Sequence, residues 1–135
     1  ALGLLEGLPN NHEEIPQLAV WDNPASGNLS ERARAYLDIN CGHCHHPQGP
    51  AHTSGLYLHY QEESQTALGI HKPPIAAGRG SGGRLYDIVP GQPEASILLY
   101  RMESQDPGVM MPELSRKMIH KEGVQLIRDW ITSLD

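Results

Sequence analysis

The sequence is short of large apolar side chains. Among its 135 residues there is no Phe, and two Trp with five Tyr bring the aromatic share to only 5%. A chain of this length can build one ordinary core and hardly two, so a single domain is expected, with few bulky residues to fill it. Cysteine is equally scarce. The only two, Cys41 and Cys44, lie too close together to staple a fold, so the pair marks a site and not a framework. No basic run is present that could follow a phosphate backbone. Acidic residues outnumber basic ones by 16 to 10, for a formal charge of -6, which argues against a nucleic-acid partner. Apolar stretches such as 97–100 fall far short of the roughly 20 residues that a bilayer-crossing helix needs, and no transmembrane segment is expected. Ala1 opens the chain without an initiator Met or the basic-then-apolar pattern of a secretory leader, so a processed or excised chain is expected.

Glycine and proline, in contrast, are plentiful, with 14 and 11 residues. In residues 1–29 they recur irregularly (GLPNNHEEIP, WDNPASGN), and this segment reads as a non-helical extension or linker, with the domain proper at 30–135. Trp21 is expected to pack down onto that domain. A helix is predicted to begin at Ser30 as N-cap. Ala33, Tyr36, Leu37 and Asn40 share one face of it, and it runs into Cys41. Residues 54–60 alternate enough to suggest a short strand, 61–68 a helical turn or two, and 76–83 a loop. A further helix is predicted from Pro93, with Pro at its first position, Ala95, Leu98, Leu99 and Met102 as its apolar stripe, and Asp106-Pro107-Gly108 as its end. The clearest element is the last: Gly123, Leu126, Ile127, Trp130, Ile131 and Leu134 line one side of an amphipathic helix.

Residues 41–45 read Cys-Gly-His-Cys-His. In this spacing two thiols can add to the vinyl groups of a haem, and the next residue, His45, is held beneath the iron as an axial ligand. Two other chemistries share parts of the pattern. A reactive dithiol of the disulfide-isomerase kind needs a strand before the motif and a long helix after it. Here a helix precedes it, and Pro47 with Pro50 opposes a helix beyond. Zinc could recruit both Cys with two of His45, His46, His52 and His59, although without the regular spacing of such sites. A haem also accounts for the composition, because a porphyrin can occupy the centre that the few aromatic residues cannot fill.

The helix before CGHCH, the helix from Pro93, the Met-Pro dipeptide in the loop after it and the terminal amphipathic helix together resemble class I c-type cytochromes. The likeness covers 30–135. VPGQPEASILLYRM followed by MMPEL looks especially like single-haem domains attached to larger exported bacterial proteins. The resemblance implies an all-α, cytochrome c-like fold of three to five helices around one covalent haem c, with long loops. It implies that Ala33, Tyr36 and Leu37 meet Trp130 where the first and last helices cross. It also implies a distal Met in the loop before the last helix, and a Pro whose carbonyl orients the proximal His, for which Pro50 and Pro47 are the candidates. The 47 residues 46–92 exceed the simplest family pattern.

Of the four Met, Met102 belongs to an apolar stripe and Met118 is expected to pack at the start of the last helix. Met110 and Met111 remain. Pro112 restrains Met111 to extended geometry, and the family pattern agrees, so Met111 is the expected iron ligand with Met110 as the alternative. Arg79 and Arg84 flank the Gly-rich loop, and their forked guanidinium groups suit the haem propionates. A haem iron with both axial positions filled has no place for substrate. Electron transfer to or from a redox partner or fused catalytic domain is therefore expected, and not catalysis. The alternative is a haem enzyme or small-ligand sensor with an open or labile sixth position. The negative charge favours a partner with a basic face, and the resemblance implies a periplasmic or otherwise exported protein.

Overall fold

The computed structural model describes Gly7, residues 15–114 and residues 116–135. Most of the first half of the N-terminal extension thus lies outside the described residues. Regular structure is helical. Among the described residues there is no strand, only two isolated bridges, Ile70 with Ile88 and Tyr86 with Ser96. No described helix is long and apolar enough to cross a membrane.

Helix α1 spans Leu29–Leu37. Its cap is Asn28 and not Ser30: the Asn28 side chain accepts from the Glu31 amide while the Glu31 carboxylate accepts from the Asn28 amide, a reciprocal box that satisfies two otherwise orphaned donors. Ala33, Ala35, Tyr36 and Leu37 are buried. The helix continues into a widened π-turn, Asp38–Gly42, which carries the chain into the cysteine motif. Two side chains on this stretch hold the segment that returns past it. Arg34 donates to the carbonyls of Tyr60 at 2.9 Å and Glu62 at 2.7 Å, and the Asp38 carboxylate accepts from the Tyr60 amide at 3.0 Å.

The alternation at 54–60 is real but builds no strand. Leu56 and Leu58 are buried, yet no partner strand lies alongside; the amide of Tyr57 donates to the Ala67 carbonyl and that of Leu58 to the His45 carbonyl, both at 2.8 Å. Helix α2 is the single turn Gln65–Leu68. The long segment beyond it is held by the Lys72–Asp87 ion pair, 3.0 Å apart and almost wholly buried, and by backbone bonds between 69–72 and 87–88. The helix expected from Pro93 is split: a 3-10 turn at Pro93–Ala95 is followed by extended Ser96, and α3 runs from Ile97–Glu103 with Ile97, Leu98, Leu99 and Met102 buried.

Helix α4, Lys121–Ser133, buries Gly123, Val124, Leu126, Ile127, Trp130 and Ile131. It crosses α1 at Gly123, where a Cβ would overlap the Tyr36 hydroxyl. That hydroxyl lies 3.0 Å from His120 Nδ1, and Trp21 packs edge-on against the same imidazole at 4.7 Å, as its expected docking requires. Met118 does not pack at the start of α4. It is 82% exposed because the helix begins three residues later, and Ile119 is the residue that turns inward. Gly123→Ala should gain helix propensity yet overpack the crossing, for a net loss of about 1–2 kcal/mol. Tyr36→Phe in the same chain removes the overlapping hydroxyl, so thermal unfolding of the double variant should recover part of that loss.

Candidate functional site

The motif turns tightly at the end of the π-turn. The Cys41 carbonyl accepts from the amides of both Cys44 at 3.0 Å and His45 at 2.9 Å. Ala51 returns to bond the Cys44 carbonyl at 3.1 Å, and the chain passes so close there that a Cβ on Gly49 would overlap the same carbonyl. His43 faces solvent. Pro47 and Pro50 are exposed as well, and the backbone that meets the His45 imidazole is that of Leu56.

Cys41 and Cys44 are free thiols. Cys41 exposes part of its surface, but its side chain packs against the core, and that burial, helped by the neighbouring Cys44, pushes the thiol up to about 12. A thiol held so high is protonated at neutral pH. Such a protonated thiol is a poor nucleophile in the folded chain, and a thioether, which carries no charge, tolerates this setting.

Burial also lowers the pKa of His45, and the Arg101 guanidinium lowers it further, while hydrogen bonding to the Leu56 backbone and the Asp87 carboxylate oppose them. The His45 Nδ1 lies 3.5 Å from Ser54 Oγ, which gives its own proton to the Ala51 carbonyl at 2.7 Å and is free to accept. An imidazole oriented by such partners at one nitrogen can offer the other to a metal.

The second half of the site is the loop between α3 and α4. Met110 and Met111 are both half-buried. The Met110 amide donates to the Asp106 carbonyl at 2.8 Å. Met111 is held on both sides: its amide donates to the Arg101 carbonyl at 3.0 Å, and its carbonyl accepts from Arg116 Nη1 at 2.6 Å. Arg101 Nε reaches the Val109 carbonyl at 2.8 Å. Arg101 acts electrostatically on His45, and Arg116 on Tyr36, whose own pKa burial raises and Cys41 raises further.

The two arginines expected at the propionates have protein partners of their own. Arg79 makes a two-pronged pair with Asp106 at 3.1 and 3.2 Å and so braces the start of the Met loop. Arg84 donates to the Glu94 carbonyl at 2.8 Å and stacks over Tyr100 at 4.1 Å. Two hollows flank the helix end, one of about 530 Å3 beside Tyr36, Asn40 and His120, the other of about 540 Å3 beside Gly42, His43 and His59; neither is lined by Cys41, Cys44, His45 or Met111. Among the described residues no group of three or more His, Cys, Asp or Glu is arranged to hold a metal ion. No family model, curated protein or solved structure matches this chain.

Arg101 and Arg116 were not legible as site residues. A charged residue on the edge of the α3 stripe was the only signal for Arg101, and Arg116 sits in a loop without a motif.

Proposed function

We propose that the chain is a single-haem electron carrier of the cytochrome c kind, with a cytochrome c-like fold around one covalent haem c. The observation that carries this reading is the folded Cys-Gly-His-Cys-His turn itself: the Cys41 carbonyl takes the amides of both Cys44 and His45, and the His45 imidazole is met by Ser54 and by the Leu56 backbone. In this reading Cys41 and Cys44 hold the porphyrin edge as thioethers. Ser54 and the Leu56 backbone would orient the ring of His45 as one iron ligand, and the doubly anchored Met111 would supply a thioether sulfur as the other. The haem, when bound, supplies a one-electron iron couple. The chain's own part is to fix both ligands, exclude water and leave no vacant position for substrate. The exported location and a basic-faced partner or fused domain belong to the same proposal.

Expression in cells competent in cytochrome maturation tests it. Denaturing mass spectrometry should show the chain heavier by one haem, and Cys41→Ser with Cys44→Ser should abolish that gain. A bare chain mass from such cells, or stoichiometric zinc in place of haem, would overturn the proposal.

A further inference from the structure

We infer that Arg116 is a positioning residue that holds Met111 in place as distal ligand; the inference rests on the haem reading above. Helix α3 ends at Glu103, and its last carbonyls have no partners within the helix. Arg116 meets this end from outside. Its Nη1 donates to the Met102 carbonyl at 2.7 Å and to the Met111 carbonyl at 2.6 Å, and its Nη2 donates to the Ser104 carbonyl. Met102 is itself buried in the core, so one guanidinium ties the carbonyl of Met111 to a rigid point.

The amide of Met111 is tied to α3 as well, through the Arg101 carbonyl. Both peptide groups that set the backbone of Met111 thus run to the same helix, and its side chain has only its own rotations left. A planar fork suits three carbonyls in this way; a lysine ammonium, as a point charge on a flexible stem, does not reproduce it. Removing the fork does not change which atom ligates. It raises the share of molecules in which the sulfur is off the iron, and a competing ligand then binds more tightly in proportion.

Imidazole titration of the ferric holoprotein reads that share. Arg116→Gln should tighten imidazole binding by about ten- to a hundredfold, the worth of losing a charge-assisted hydrogen bond, while the far-red sulfur–iron absorption persists without imidazole. Arg116→Lys should fall between, and carries the test alone if the Gln variant does not fold. Arg128→Ala, which removes an arginine that pairs with Glu94 and Glu103 on the surface, should leave imidazole affinity unchanged. Unaltered imidazole affinity in both Arg116 variants, with haem and far-red band intact, overturns the positioning role and spares the haem reading. Loss of haem or of the far-red band in the unmutated protein overturns both.

Discussion

Met111→Ala should abolish the weak far-red absorption of the ferric protein, lower its reduction potential and open the iron to carbon monoxide and imidazole. Loss of a thioether ligand removes the donor that favours the ferrous state, and axial ligation commands a range of roughly 0.8 V in haem proteins, so the fall should be large on any electrode scale. Met110→Ala should leave all three properties nearly unchanged. The contrast follows from the anchoring: Met111 has both its amide and its carbonyl committed, to Arg101 and Arg116, whereas Met110 lies one residue nearer the Asp106 turn. Adjacent residues in an extended loop point to different sides, so only one of them can face the iron. If the two variants exchange behaviours, the ligand moves by one residue and electron transfer stands. If the unmutated haem protein already binds carbon monoxide readily, the sixth position is open, and a sensing or catalytic role replaces electron relay.

Trp130→Ala should cost about 3–5 kcal/mol of stability, as expected when a large aromatic side chain is deleted from a core. Trp130 is 1% exposed at the centre of the buried face of α4, in one cluster with Ala33, Tyr36 and Leu37 of α1. Its Nε1 finds no hydrogen-bond partner among the described residues. Trp130→Phe keeps most of the buried aromatic area and should cost well under half as much. Denaturant unfolding of the two variants checks both figures. A loss below about 1 kcal/mol for the Ala variant would mean that the α1–α4 crossing is wrong.

The cysteine motif and helix α4 were legible because their signals are local. Spacing within five residues dictates where two thiols and an imidazole can reach, and six apolar positions at helical intervals dictate one buried face. The start of α1 was misread by two residues, since Asn28 and Ser30 are both good caps and only the reciprocal bond to Glu31 separates them. The stretch 54–60 was misread as a strand. Alternation records which side chains are buried; it does not record whether their amides find a neighbouring strand or, as here, the carbonyls of His45 and Ala67.

The sequence by itself determined a mostly helical chain with a Cys-Gly-His-Cys-His motif, a Met-Pro dipeptide in the loop before the last helix, and a terminal amphipathic helix that must pack on something. Tertiary structure alone decided what surrounds the site. The partners of the His45 ring are Ser54 and the Leu56 backbone, neither of which spacing pointed to. Arg79 and Arg84 pair with Asp106, Glu94 and Tyr100, and the arginines bonded to the carbonyls of the Met loop are Arg101 and Arg116. The reason is physical: a guanidinium bonds whichever carbonyl or carboxylate the fold brings within 3 Å, and that proximity is set by helix crossings between residues far apart in the chain.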